Sequence, residues 1–198
     1  SFAVATLVGQ GAASLISIRL GEKDSRGADH VFTNALTLNL ILGSLVIAAG
    51  FIFMDPLLNI MGAQGAVKEM AADYMRVIYA GFIFQMLGFY FSNIARSEGF
   101  PVLAMASMIT SGVSNMILDY LFIAVFGWGV QGGALATIMG QALGFFILLR
   151  HFVSGKSSLK VHGKDLIPDL KVIGRIIAVG SATFVTTLGA SLSAALLN

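Results

Sequence analysis

The chain has 198 residues, of which 57% are hydrophobic and 11% are charged, and its net charge is +2. A soluble domain carries about 25% charged residues, so this composition excludes a disordered tail, a nucleic-acid-binding module and an ordinary cytosolic enzyme. The chain has no cysteine, which excludes a disulfide framework and a thiolate metal site. Its 23 glycines in an apolar, weakly charged background are typical of packed membrane helices.

Apolar spans follow one another along the chain, each close to the roughly 20 residues that a helix needs to cross a bilayer. The uncharged runs that define spans one, two, three and six are 1–18, 31–54, 77–95 and 176–198. Between Glu98 and Arg150 the only charged residue is Asp119, and the glycines around Trp128 divide this stretch into spans four and five. The prediction is an all-α integral membrane protein with six transmembrane helices.

Basic residues are distributed unevenly between the two ends of these spans. The turns after spans one, three and five hold ten Lys and Arg residues, against two after spans two and four. The positive-inside rule predicts that the first group is cytoplasmic and that the chain begins outside. Because the chain also begins and ends within apolar runs, we expect it to be part of a longer protein. The outer loop, 55–73, predicts a short helix at the membrane interface.

The polar stretch 151–171 separates two predicted units. Residues 1–150 contain five spans, and residues 172–198 contain the sixth. The stretch between them holds glycine, serine and proline, and it lies on the predicted cytoplasmic side. These features predict a cytoplasmic linker, and the amphipathic segment 166–177 predicts the start of span six.

Asp119 is the most informative residue, because it lies deep in span four, about two turns before Trp128. A carboxylate at that depth costs about 2.5–3.5 kcal/mol, so such residues usually face a cavity and bind an ion or a proton. Asn115 lies on the same helical face, and Thr137 on span five falls at a similar depth if the spans form an antiparallel pair. The three oxygens predict a Na⁺ or proton site; the alternative is a polar patch that only joins helices.

Other polar and aromatic side chains within the spans could line a substrate cavity. The candidates are Gln85, Tyr79, Tyr90, Asn93 and Gln141. Taken singly, such residues more often make interhelical contacts or fill the core. The sequence shows no Ser-His-Asp arrangement, carboxylate pair or HExxH motif at membrane depth, so we expect no enzymatic activity and no cofactor other than a coupling ion.

Four stretches resemble the multidrug and toxic compound extrusion (MATE) transporters. The first begins with AASLIS and continues through LGEK, the second is RSEG followed by a proline, and the other two are NMILDYLFI and GWGVQGGALAT. These stretches occupy residues 12–28, 96–101, 115–123 and 127–137. Their order and spacing match the family, and the likeness covers essentially the whole chain.

The resemblance implies a fold and an activity. MATE proteins have twelve helices in two six-helix lobes, and the six spans look like the second to seventh helices, so they form most of the first lobe. The family exports organic cations and other drugs in exchange for Na⁺ or H⁺. Asn115, Asp119 and Thr137 match residues of its ion site, which also has a carboxylate on the first helix. The expected partners are small organic cations and the lipid bilayer of the cell membrane, and no nucleic acid.

Two alternatives to export stay open at this point. A lipid-linked oligosaccharide flippase of the same superfamily usually needs a cationic cavity for a diphosphate head, and the spans contain no buried Lys or Arg. Arg76, near the predicted outer mouth, is the nearest candidate. A non-transporting structural subunit of a membrane complex is the other alternative, and it leaves Asp119 unexplained.

Overall fold

The computed structural model describes residues 2–62 and 64–182, and within these residues it contains helices and no strand. The helices in chain order are α1 (Phe2–Gly21), α2 (Ser25–Ile52), α3 (Met54–Ile60), α4 (Gly65–Ser97), α5 (Pro101–Asp119) with its π-helical continuation (Tyr120–Val125), and α6 (Gly129–Val153). A 3₁₀ turn (Gly163–Leu166) follows, and residues 170–182 are again helical.

The all-α membrane architecture predicted from composition is confirmed. Within the described residues, α2, α4, α6 and the continuous helix Pro101–Val125 are long and apolar enough to cross a membrane. The 20-residue helix α1 coincides with the first predicted span. The sixth predicted span, 176–198, is helical as far as residue 182, and its remainder lies outside the described residues.

The helix boundaries follow from local sequence signals. The side chain of Asp24 accepts a hydrogen bond from the amide of Gly27 at 2.8 Å and so caps the start of α2. Pro101 occupies the first turn of α5, where its missing amide hydrogen costs nothing. The predicted break between spans four and five is present, because Gly127 and Gly129 have φ angles of 68° and 53°, which favour glycine.

Most of the predicted outer loop, 55–73, is helical, although its polar composition indicates an irregular loop. The short helix α3 is present at its beginning, as predicted, but α4 already begins at Gly65 and so includes the second half of the loop. An ion pair between Asp73 and Arg76, 2.8 Å apart and one helical turn apart in sequence, lies in this added part of α4. Charged residues therefore extend the helix beyond its apolar span.

The core of the bundle lies around α4, which contacts α1, α2, α5 and α6. The ring of Phe32 stacks on Tyr90 with 5.9 Å between centroids and on Phe152 with 5.6 Å. Phe91 meets the ring of Phe152 at 4.8 Å. Because each aromatic side chain buries ~150–250 Å² on packing, this layer is a major contribution to the contact between α2, α4 and α6.

Residues 154–169, which we call the strap, follow α6 and run along one end of the bundle. The carboxylate of Glu98 accepts hydrogen bonds from the hydroxyl and amide of Ser158 at 2.7 and 2.8 Å, and from the hydroxyl of Ser157 at 2.8 Å. Leu159 is buried in the core. The strap is therefore fixed to the turn between α4 and α5 by both polar and apolar contacts.

We expect the substitution Glu98→Ala to loosen the strap, because Ser157 and Ser158 then lose a charged hydrogen-bond acceptor. The half-exposed position limits the loss to about 1–2 kcal/mol, which predicts about tenfold faster tryptic cleavage after Lys156 and Lys160. Limited proteolysis of the purified protein measures this rate. The matched control is Glu22→Ala, which removes an exposed ion pair with Arg19 and should leave the rate unchanged. Equal cleavage of Glu98→Ala and wild type would contradict the prediction.

Candidate functional site

Asn115, Asp119 and Thr137 lie at the interface of α5 and α6. The amide nitrogen Nδ2 of Asn115 donates to Thr137 Oγ1 at 3.5 Å, and the Thr137 hydroxyl donates to the carbonyl of Gly133 at 2.9 Å. A Cβ atom placed on Gly133 would lie 3.7 Å from Asp119 Oδ1, so the carboxylate lies beside the α6 turn that precedes Thr137. The structure thus places the three side chains along one stretch of the α5–α6 interface, with Thr137 level with Asn115, rather than with Asp119 as predicted, and Asp119 about one turn away.

The Asp119 carboxylate has no hydrogen-bond donor or cation among the described residues. The residue is half-buried, as are Asn115 and Thr137. No group of three His, Asp or Glu side chains within residues 2–62 and 64–182 is placed to hold a metal ion. From this chain, a cation bound at Asp119 would therefore be coordinated by one carboxylate and by neutral oxygens of Asn115 and Thr137. A site with a single negative charge suits a monovalent ion or a proton better than a divalent metal.

Small residues place α5 and α6 close enough for this contact. A Cβ on Gly140 would lie 2.7 Å from the carbonyl oxygen of Ser111, and a Cβ on Gly144 would lie 2.9 Å from that of Ser107. The hydroxyl of Ser107 donates to the carbonyl of Gly144 at 2.8 Å across the same interface. The Gly-x-x-x-Gly spacing in α6 thus permits backbone contact with α5, and the Asn115–Thr137 contact depends on this close approach.

The sequence does not predict the π-helical turn that begins directly after Asp119. The amide of Phe126 donates to the carbonyl of Leu121 at 2.9 Å, and that of Trp128 donates to the carbonyl of Phe122 at 2.8 Å. The rings of Phe122 and Trp128 stack over this turn with 5.0 Å between centroids. π-Helical turns are rare and frequently occur at functional sites, and no residue type in the sequence marks this one in advance.

Three of the five predicted cavity residues line open space in the bundle. Gln85 and Gln141 border a cavity of about 330 Å³ between α4, α5 and α6. Asn93 borders a second cavity of about 410 Å³ between α1 and α4, although its own Nδ2 donates to the carbonyl of Phe89 at 2.8 Å. Arg96 lines both cavities. In the sequence it is one of several basic residues at the cytoplasmic ends of the spans, and nothing in the sequence distinguishes it as a cavity residue.

The two predicted cavity tyrosines lie elsewhere. Tyr90 is fully buried, and its hydroxyl donates to the carbonyl of Phe32 at 2.7 Å, so both its ring and its polar atom are occupied within the core. The ring of Tyr79 packs against Phe51 with 6.1 Å between centroids and lies directly over Gly50. Neither side chain borders the two cavities, because each fills a contact between α2 and α4.

Comparison with known proteins places the chain among membrane transporters. The family model MatE matches residues 1–121. The multidrug export protein MepA of Staphylococcus aureus (strain MRSA252) is 28% identical over 92% of this chain and 40% of its own length, and MepA of Staphylococcus saprophyticus is 27% identical over 97% and 43%. The chain thus spans about 40% of the length of these relatives.

Solved structures agree with this placement. A multidrug resistance MATE family transporter of the MOP superfamily in its inward-facing conformation superposes with a TM-score of 0.86 and 31% identity, covering 96% of this chain and 43% of that one. The outward-facing conformation of such a transporter gives 0.84 and 32%, over the same shares of the two chains. With its family model, its relatives and its fold in agreement, this chain belongs to the MatE family of multi-pass membrane transporters.

Proposed function

We propose that the protein containing this chain exports small organic cations across the cell membrane in exchange for Na⁺ or H⁺, and that the coupling ion binds at Asp119 with Asn115 and Thr137. The observation that carries the proposal is the half-buried Asp119 carboxylate, which has no donor or cation among the described residues and lies beside the Asn115–Thr137 contact. An unpaired carboxylate in a membrane helix is costly, and a bound ion or proton removes that cost.

The site allows a simple coupling scheme. Binding of Na⁺ or H⁺ neutralises Asp119, so the carboxylate no longer needs solvation by water or a drug cation as its counter-charge. The coupling ion and the cationic drug then compete for Asp119. Binding of the ion from outside releases the drug to the outside, and a new drug molecule binds after the ion has left on the cytoplasmic side. Coupling requires only that the ion binds one conformation of the transporter more tightly than the other.

Two features of the relatives support this scheme. MepA is named as a multidrug export protein, which favours small organic substrates over a lipid-linked sugar. The chain is about equally similar to one MATE transporter structure in an inward-facing conformation and to another in an outward-facing conformation, with TM-scores of 0.86 and 0.84. This supports a mechanism in which the helices described here keep their internal arrangement while the whole group changes its orientation.

Transport by the full-length protein tests the proposal. Proteoliposomes are loaded with a cationic dye, and its movement is followed under an imposed Na⁺ gradient, an imposed H⁺ gradient and neither. We expect one gradient to drive dye movement against its concentration difference, and that gradient identifies the coupling ion. A zwitterionic and an anionic dye of similar size test charge selectivity. Movement that never exceeds passive leakage under either gradient would contradict antiport.

A further inference from the structure

The strap separates its acidic side chains from its basic ones. Both carboxylates lie against α2: Asp165 is buried, with its Oδ2 3.0 Å from Arg26 Nη1, and Asp169 Oδ2 lies 3.4 Å from His30 Nε2. The lysines of the strap are exposed, and none has an ion-pair partner in the part of the chain that the structure describes. They are Lys156, Lys160 and Lys164. The negative charges of the strap are thus engaged within the bundle, whereas its positive charges are free on the outer surface.

Large apolar side chains are exposed on the strap together with the lysines. Ile167 is 77% exposed and Val161 is 51% exposed, and Leu170, the first residue of the following helix, is 80% exposed. Leu159, by contrast, is buried in the core. Exposed leucine and isoleucine beside lysine are unfavourable for a surface in contact with water alone. The combination is typical of segments that lie on an anionic membrane surface.

Hydrogen bonds to α2 place the strap at the level where the apolar span begins. The amide of Lys160 donates to Asp29 Oδ1 at 2.8 Å, and the amide of Asp169 donates to Asn34 Oδ1 at 2.7 Å. Asp29 precedes the uncharged run 31–54, whereas Asn34 lies inside it, about 7.5 Å further along the helix. The strap therefore lies beside α2 at the end of its apolar span, which is the level of the lipid headgroups.

The helix that follows the strap extends the same surface. It begins at residue 170, later than the predicted 166, because Pro168 disfavours helix in the residue before it and Asp169 Oδ1 caps the helix by accepting the amide of Lys171 at 2.9 Å. Lys171 and Arg175 are exposed one turn apart on this helix. The strap and the first turns of the helix thus carry five exposed basic side chains between residues 156 and 175.

We propose that this surface, formed by the exposed basic and apolar side chains of residues 156–175, docks on the membrane at the predicted cytoplasmic side and binds anionic phospholipid headgroups. The lysines and the arginine contact the phosphates, and the side chains of Ile167 and Leu170 enter between the headgroups. A protein partner would need carboxylates opposite five cations, whereas an anionic leaflet supplies negative charge and an apolar layer together at this level. The surface is separate from the ion site at Asp119 and gives the protein a dependence on lipid charge that ion coupling does not supply.

The depth of a nitroxide label attached to Ile167→Cys in the full-length protein tests this docking. The protein is placed in nanodiscs of phosphatidylcholine alone or of a mixture with about 30% phosphatidylglycerol. Electron paramagnetic resonance measures collisions of the label with oxygen, which dissolves in hydrocarbon, and with a nickel chelate, which stays in water. We expect the ratio of oxygen to nickel accessibility to be higher in the anionic nanodiscs, because docking carries the label below the headgroups.

Two matched triple variants test the role of charge. Replacement of Lys160, Lys164 and Lys171 by glutamine should abolish the rise in the anionic nanodiscs, because each lysine near an anionic surface strengthens association about fivefold and the three together about 100-fold. Replacement of the same three lysines by arginine keeps the charge and should keep the rise. All three side chains are exposed, so neither variant removes a core contact.

Three results would overturn the proposal. The first is an equal accessibility ratio in the two kinds of nanodisc, and the second is a rise that persists in the glutamine variant. The third is low accessibility to both oxygen and nickel, which would mean that another part of the protein covers Ile167.

Discussion

Substitution of Asp119 by asparagine is expected to reduce gradient-driven export of a cationic dye by about tenfold or more, while the protein stays folded in the membrane. Asparagine has nearly the same size, so the packing beside Gly133 is kept, but it cannot exchange a charge for a bound ion. The measurement is dye movement in proteoliposomes under the gradient that drives the wild type, together with the thermal unfolding midpoint of each variant.

Two further substitutions separate coupling from general damage. Glu69→Gln removes an exposed carboxylate at the other end of the bundle from the strap, and it should export at the wild-type rate. Thr137→Val removes the hydroxyl that accepts from Asn115 and should give an intermediate loss. Wild-type export by Asp119→Asn at an unchanged midpoint would show that the cluster is structural, which is the reading that the sequence left open.

Substitution of Gly140 by valine is expected to disable the candidate ion site although it changes none of the polar side chains of that site. A Cβ at this position would lie 2.7 Å from the Ser111 carbonyl and 3.0 Å from the Cβ of Asn115, so α5 and α6 must move apart. Overpacking of this kind costs about 1–3 kcal/mol and would separate Asn115 from Thr137. We expect a lower unfolding midpoint and loss of export together.

Gly112→Val is the matched control for this prediction. Gly112 lies on α5 one residue from Ser111, and a Cβ there would meet no atom within 4 Å. The same chemical change should therefore leave the unfolding midpoint close to wild type, apart from its small effect on helix propensity. The midpoint alone is compared, because Gly112 also borders the cavity of about 330 Å³. If Gly140→Val and Gly112→Val shift the unfolding midpoint equally, close approach of α5 and α6 is not what holds the site together.

The apolar spans and the candidate ion site could be predicted from the sequence, because both depend on signals local in the chain. Continuous apolar runs imply membrane helices, since a backbone in lipid must satisfy its own hydrogen bonds. The glycines at 127 and 129 mark the turn between α5 and α6. An antiparallel pair joined by so short a turn places Thr137 at about the depth of Asp119 by counting alone. In the structure Thr137 contacts Asn115 instead, and Asp119 lies about one helical turn away beside Gly133, so the count finds the right interface but misses the level by a turn.

The positions of the aromatic and charged side chains were decided by tertiary structure. From the sequence alone, Tyr79 and Tyr90 are equally plausible as cavity residues and as core residues. Only the packing of α2 on α4 gives the Tyr90 hydroxyl a carbonyl partner and places both rings away from the cavities. The π-helical turn after Asp119 likewise depends on how Phe122 and Trp128 stack.

For the strap, the sequence predicts polarity, whereas the tertiary structure decides the contacts. Residues 151–171 form a polar stretch that contains glycine, serine and proline, and this composition predicts a linker. Glu98, Asp29 and His30 lie 59 to 139 residues away along the chain from their strap contacts. Composition determines that a segment is polar, but hydrogen-bond partners so distant in sequence are set by the fold that brings the ends of α2 and α4 to one face of the bundle.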